Sequence, residues 1–360
     1  MENRIKGGFW KNIGACADTK VVRTIHPVGQ GAMYSESFRV CNKTKFVALY
    51  DCGSFNGAAL EKALETVGNV DCLFISHFHH DHISGVSKLI AEHKVKKIFI
   101  PYVTPSQFFL DLVHNILVAG HDYVHDTSIG FMFSALPYLS GAELEEPLSA
   151  DVAVVKPSDV FDRQYVSDDT VSWYYDVLTS SVTDHGEDEL IGSILNLLPV
   201  SLETGMDEFQ SKTWYENLLK ELNGKLREIG RLYRNAFPGG HNSYSMIVYS
   251  HKNEAFYGSK TPDLHTFDCV YTGDAEMSAD IVGKIRDYAP EYIQVPHHGS
   301  SKNYDPHIYH RHQTAFISVG EKNRYHHPSL HTLNEIINTC AETHIVTEKG
   351  QAYVKEYVLI

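Results

Sequence analysis

The chain reads as a layered α/β fold, and three observations predict it. Short apolar runs of strand character alternate with segments of helical spacing between residues 46 and 101. Several such runs stop on an acid, a glycine or a histidine, as at Tyr50-Asp51-Cys52-Gly53, Tyr271-Thr272-Gly273-Asp274 and Val295-Pro296-His297-His298. One of them, Cys72-Leu73-Phe74-Ile75, opens into His77-Phe78-His79-His80-Asp81-His82. Strand ends that carry potential ligands are how open α/β sheets build their sites.

Taken in order, the apolar residues 21–25 run into Val28-Gly29-Gln30-Gly31 and out again. Two glycines so close together mark a close approach of backbone to ligand or an ordinary hairpin turn. Residues 46–50 form a strand that ends on Asp51, residues 58–67 a short helix, and Gly68-Asn69 turns the chain into the strand before the histidines. Residues 86–93 have helical spacing and residues 97–101 are a buried strand. From 104 to 235 the pattern loosens: 108–119 is helical, 152–155 has strand character, and Asp184-His185-Gly186-Glu187-Asp188-Glu189 is a solvated loop or a helix start. This middle region is expected to be an insertion or cap over the site. Within it, 214–235 is the clearest helix, with Leu218, Leu219, Leu222, Leu226, Ile229, Leu232 and Tyr233 recurring at three- and four-residue steps. Its opposite face carries Lys220, Lys225, Arg227, Arg231 and Arg234, a solvated face or a contact for a phosphate backbone. Further strands fall at 246–249, 269–271, 292–295 and 316–319, helices at 279–288 and 330–340, and a terminal strand at 352–360.

With 360 residues, 43% hydrophobic and 21% charged, the composition is that of a soluble globular protein, and no apolar run reaches the length of a membrane span. The first residues lack the apolar core of a secretory signal, so the expected location is the cytoplasm, with no membrane partner. Six cysteines, Cys16, Cys41, Cys52, Cys72, Cys269 and Cys340, form no Cys-x-x-Cys pair and no dense framework, which predicts reduced thiols. The net charge of −14 argues against a broadly basic nucleic-acid surface, although ligand carboxylates and bound cations would offset part of it.

The histidine cluster carries the chemistry. Residues two apart in an extended segment share a face, so His77 and His79 can present nitrogens to one ion while Asp81 and His82 turn toward a second. Borderline-soft divalent ions accept such a mixed nitrogen and oxygen set. Four histidines and one aspartate within six positions are hard to read as isolated surface or core residues.

With these pieces in place, the chain resembles the metallo-β-lactamase superfamily of hydrolases, and within it the branch related to the hydrolase domain of the DNA-uptake competence protein ComEC. The resemblance rests on Val28-Gly29-Gln30-Gly31, Tyr50-Asp51-Cys52-Gly53, the His77 to His82 pattern, Asn242-Ser243-Tyr244-Ser245, Thr272-Gly273-Asp274, His297-His298-Gly299-Ser300, Ile317-Ser318-Val319-Gly320, Asn323 and His327-Pro328, in that order. Two positions depart from the branch: Ala32 stands where Asp is usual after Gly-Gln-Gly, and His326 where Gly precedes His-Pro.

The resemblance implies a four-layer αββα sandwich over residues 1–360 as one domain, with 104–235 largely outside it as the mid-chain insertion. It implies two divalent metal ions, zinc first and manganese second. His77 and His79 would hold one, Asp81, His82 and His298 the other, and Asp274 would bridge them. His241 is either a further ligand to the first ion or part of the branch's Asn-x-x-Ser element. Asp51 would orient ligands, His297 would replace His298 or touch substrate, and Asn242, Ser300 and His327 would line the substrate pocket. Such ions bring the pKa of a bridging water near neutrality, and Asp81 would hold that nucleophile in line. The expected activity is hydrolysis of a phosphodiester, in a small molecule or a nucleic acid. Cleavage of a carboxylic ester, amide or lactam, or a metal-stabilised sensor or partner subunit without turnover, are the rival readings. A protein partner or homo-oligomer is left open.

Overall fold

The computed structural model describes residues 19–92, 95–142, 148–156, 162–167, 172–181, 186–199, 208–238, 244–253 and 266–359. Two seven-stranded sheets lie face to face. The first contains β1 (Thr19–Ile25), β2 (Tyr34–Val40), β3 (Lys43–Tyr50), β4 (Val70–Phe74), β5 (Val95–Pro101), β6 (Asp151–Val155) and the last strand, β14 (Tyr353–Leu359), in the order β14-β1-β2-β3-β4-β5-β6. The second contains β7 (Asp162–Ser167), β8 (Ser172–Ser181), β9 (Tyr244–Lys252), β10 (Cys269–Tyr271), β11 (Tyr292–Gln294), β12 (Thr314–Ser318) and β13 (Glu342–Val346), ordered β13-β12-β11-β10-β9-β8-β7.

Strand alternation sorts the core into three layers. Ala48, Tyr50, Phe74 and Phe99 point between the sheets, where they meet Trp173, Tyr175, Met246 and Tyr271. Val47, Leu49, Leu73 and Ile98 point the other way, into an apolar cluster shared with α1 (Gly57–Leu64), the single turn α2 (His80–Ile83), α3 (Val86–Glu92), α4 (Pro105–Ala119), α5 (Thr127–Ser140), α6 (Gly186–Leu195), α7 (Lys212–Asn223) and α8 (Leu226–Ala236). The outer face of the second sheet is covered by α9 (Ala279–Tyr288) and α10 (Leu330–Thr339) through Ile281, Ile285 and Ile336. The result is the αββα sandwich that the resemblance implied. Strands β6, β7 and β8, from the stretch 104–235, extend the two sheets at their edges. No helix among the described residues is long and apolar enough to cross a membrane.

Several elements differ from the sequence reading. The helix expected over 214–235 is two helices, broken at Gly224 and Lys225, where the Lys225 ammonium turns inward to the Leu197 carbonyl. The leucine periodicity runs on through the break because both helices bury the same face. Cys52, Cys72, Cys269 and Cys340 are free thiols, but Cys41 is disulfide-bonded, contrary to the expectation of reduced cysteines. Spacing along a chain carries no information on which thiols meet in space. The Gly-Gln-Gly turn is the connection of the β1–β2 hairpin and also a close approach. A Cβ on Gly31 would lie 2.4 Å from the Gly53 carbonyl oxygen, and one on Gly53 would lie 2.5 Å from the His82 backbone. The Ala32 N–H donates to both Gly53 O and Asp81 O, at 3.1 and 3.0 Å. The hairpin loop is thereby clamped against the histidine turn.

Across the sheet interface runs a buried polar network. The Arg23 guanidinium on β1 donates to Glu36 Oε1 on β2 at 2.7 and 2.9 Å and lies over the rings of Phe267 and Tyr292. From the second sheet, Tyr271 donates to Glu36 Oε1 at 3.0 Å, while Tyr175 and Ser250 donate to Oε2 at 2.8 and 2.6 Å. This saturates the Glu36 carboxylate from both sheets and fixes how their strand ends face one another. Removing one member strands the other charge in a dry core. The Glu36→Ala variant is therefore expected to lose about 3–5 kcal/mol of stability in urea unfolding; a loss within experimental error would show that the network does not join the sheets.

Candidate metal centre

Four strands deliver the site from their carboxyl ends: β3 to Asp51, β4 to Ser76 and His77, β10 to Asp274, and β11 to His297 and His298. The pairs β3–β4 and β10–β11 are each parallel, so within a pair both ends open on the same side. The two sheets are tied at this level by Met246 N–H, which donates to Ser76 O at 2.8 Å.

Asp51 has left-handed backbone, φ 55°, and is fully buried. Its carboxylate accepts from Ser76 N and Ser76 Oγ, each at 2.7 Å, and pairs with His82 Nδ1 at 2.7 Å. Engaging Nδ1 turns His82 Nε2 toward the site. His77 does the same through Ser76 Oγ, 2.9 Å from its Nδ1, and His298 through the Ser318 carbonyl, 2.8 Å from its Nδ1. His77 Nε2, His82 Nε2 and His298 Nε2 are consequently buried atoms with no hydrogen bond of acceptable geometry. Around them His82 Nε2 lies 3.3 Å from Asp274 Oδ1, His77 Nε2 3.8 Å from Asp274 Oδ2, and His298 Nε2 3.3 Å from Asp81 Oδ2. Two donor sets emerge, His77 with His82 and Asp274, and Asp81 with His82 and His298. Inward lone pairs, adjacent carboxylates and no hydrogen bonds to satisfy them suit a divalent cation. The donors fit zinc or manganese, and the absence of any thiolate among them leaves the choice to oxygen and imidazole.

The electrostatics agree. Burial disfavours the charged form of His82, but Asp274, Asp51 and Asp81 outweigh it and hold its pKa well above the ordinary imidazole value. His298 is raised in the same way by Asp81 and Asp274 against its burial. For Asp274, the effect of burial is overcome by His297 and His82, and its pKa lies well below the usual carboxylate range. His77 is pushed down by burial and by its neighbours His82 and His79. Positive charge is favoured at this position by the three carboxylates Asp51, Asp81 and Asp274.

The other candidates fall as follows. His297 and His298 both have left-handed backbone, φ 47° and 52°. His297 Nδ1 meets Asn303 Oδ1 at 3.0 Å and its Nε2 lies 3.6 Å from Asp274 Oδ2, at the rim of the donor sets. His327 packs edge-on against His297, with ring centres 5.4 Å apart. Ser300 is buried, its N–H donating to His297 O and its Oγ accepting from Lys302 N–H. At His326, where glycine was expected, the backbone is left-handed, φ 57°. His241 and Asn242 lie outside the described residues.

His79 stands outside both donor sets. Its Nε2 lies 3.2 Å from Asp111 Oδ1, and its ring stacks on His114 at 4.0 Å and 13°. Asp111, His114 and Asn115 all come from α4. Tyr244 donates a short hydrogen bond to the other Asp111 oxygen and accepts from Phe78 N–H, while Asn115 Nδ2 donates to Phe78 O at 2.8 Å. Helix α4 thus clasps the histidine turn by its backbone and by His79, whose ring also lies 4.6 Å from that of His77. The sequence did hold a signal: Asp111, His114 and Asn115 are polar residues within the apolar run of the helix, and residues such as Asp111 and Asn115 are rarely buried without a task. Asn303, which joins His297 to the Asp274 and Ala275 carbonyls, left no such mark.

Partners that orient ligating histidines typically contribute about 10- to 100-fold to metal affinity. Asp111→Asn is expected to weaken metal binding by that factor in competition with a chromophoric chelator, with secondary structure unchanged. An affinity equal to that of the parent protein would remove Asp111 from the metal centre.

Residues 31–115 match the family model of the metallo-beta-lactamase superfamily. No curated protein sequence matches the chain. Among solved structures, the short form of human tRNase Z is similar at a TM-score of 0.34 and 12% identity, over 75% of this chain and 76% of that one. A diphosphatase from the PhnP family reaches 0.39 at 9% identity, over 94% and 100%. MEM-A1, a subclass B3 metallo-beta-lactamase isolated from a soil metagenome library, reaches 0.32 at 11% identity, over 79% and 78%. The family model, together with the sandwich of two sheets, supports the metallo-beta-lactamase superfamily, whose members are metal-dependent hydrolases.

Proposed function

We propose that this chain hydrolyses a phosphodiester with two divalent ions, zinc by preference and manganese as a substitute. The observation that carries this reading is that His77 with Asp274 on one side and His298 with Asp81 on the other converge about His82, whose single inward lone pair would complete one of the two sites. Adjacent cation sites of that kind serve in-line displacement at phosphorus. The resemblance of His297-His298-Gly299-Ser300 and His327-Pro328 to the ComEC-related branch favours phosphate over acyl substrates.

When bound, the ions supply an acidified water and a Lewis-acidic contact to the phosphoryl oxygen. The protein's own groups do the rest. Asp51 and Ser318 O fix His82 and His298 through their outer nitrogens, so that neither ring turns during the reaction. Asp81, paired with His298 Nε2, holds the attacking water in line and takes its proton. Asp274 reaches His77 and His82 with different oxygens and sets their separation. His297 and His327 stand at the rim, where they meet the phosphoryl oxygens and the leaving group.

Zinc- or manganese-loaded protein is expected to cleave bis-p-nitrophenyl phosphate, with Asp81→Asn slower by about 10²-fold or more, the range for a lost general base. Cleavage of a carboxylic ester or lactam, with the diester untouched by either metal form, would falsify the reading.

A further inference from the structure

Between β12 and α10 the loop Glu321-Lys322-Asn323-Arg324-Tyr325-His326-His327 crosses the rim of the metal centre. A relay of rings leads outward from His297 along this loop. His327 sits 5.4 Å from His297, Tyr325 lies parallel to His327 at 6.0 Å and 14°, Phe55 lies 6.4 Å from Tyr325, and His80 stacks on Phe55 at 5.5 Å and 17°. Tyr325 is 50% exposed, while Phe55, His80 and His327 are half-buried. A single exposed tyrosine needs no explanation; one set within a line of rings that runs from beside Asp274 to His80 of the histidine turn does.

The loop is also held rigid. Asn323 Oδ1 accepts from His327 N–H at 2.9 Å, and its Nδ2 donates to Gly320 O and His327 O at 2.9 and 2.8 Å. A ring presented by so fixed a loop loses little entropy when something lies on it. Lys322 and Arg324 precede Tyr325 in the loop and are exposed, two cationic side chains in a chain whose formal charge is −14. Flat aromatic surface interleaved with cations, opening onto a site for phosphoryl chemistry, is how single nucleotide units are gripped without sequence selection.

We infer that Tyr325 is the stacking platform for the base of a nucleotide substrate whose phosphate lies at the Asp274 end of the ring relay, with Lys322 and Arg324 meeting adjoining phosphates. This rests on the phosphodiester reading and narrows it to nucleotidyl diesters. An aliphatic diester would leave the platform unused, and a peptide would gain nothing from the paired cations.

The test compares thymidine 5′-monophosphate with 2-deoxyribose 5-phosphate, which differ only by the base, in calorimetric binding to the zinc-loaded full chain. Stacking of one base on one ring predicts tighter binding of the nucleotide by about 5- to 100-fold. The difference should vanish in Tyr325→Ala and persist in Tyr325→Trp. Equal binding of the two by the parent protein, or a difference that survives in Tyr325→Ala, overturns the platform and leaves the phosphodiester reading intact. Failure of both compounds to bind to protein that cleaves bis-p-nitrophenyl phosphate overturns the platform alone, and failure of that cleavage overturns the phosphodiester reading and the platform with it.

Discussion

Buried negative charge has to be answered, and the architecture follows from how it is answered. Asp51, Asp81 and Asp274 are each under a tenth exposed, and among the described residues they meet imidazoles and a serine. An uncompensated carboxylate in such surroundings costs several kcal/mol. Imidazoles whose outer nitrogens are already engaged can only turn their inner nitrogens toward the carboxylates. The geometry that results, lone pairs and carboxylate oxygens converging, is a demand for divalent cations.

Meeting that demand constrains parts of the chain far apart in sequence. Asp51 and the histidine turn come from the first sheet, Asp274 and His298 from the second, so the site exists only if the two sheets meet in a fixed relation. The Arg23–Glu36 network does for the interface what Asp51 does for His82: it uses one fully bonded carboxylate to set an orientation. Behind the histidine turn, two glycines admit the hairpin loop of β1 and β2 to backbone contact, and in front of it α4 closes with Asp111 and Asn115. The turn that carries the candidate ligands is therefore gripped on both sides, the kind of preorganisation a metal site requires.

Much of this was legible in the sequence, for a physical reason. Strand-then-ligand is a local pattern, and six consecutive positions with four histidines and an aspartate have few other uses, so His77, Asp81 and His82 could be named without a structure. Asp274 and His298 also end apolar strands, and the resemblance implied their place at the ions. What escaped depends on contacts between distant segments. Period-two reasoning placed His79 beside His77, and their rings lie 4.6 Å apart, but it could not show the other neighbour of His79, Asp111, on a helix about thirty positions away. The break between α7 and α8 was hidden because the apolar spacing continues across Gly224. Strand β7 has few aliphatic residues and gains its place by pairing with β8 at the sheet edge, while in β8 the alternation of Trp173, Tyr175 and Val177 is interrupted by Tyr174 and Asp176 and was easily passed over.

The account stands or falls on cations at the junction of the two sheets. Elemental analysis of protein purified without chelators measures this most directly, with calorimetric titration of zinc into the chelator-stripped protein as its complement. Two equivalents of divalent metal per chain, lost on chelation and regained on titration, is the predicted result. Protein that contains none, and takes up none when zinc is added, would contradict the central claim.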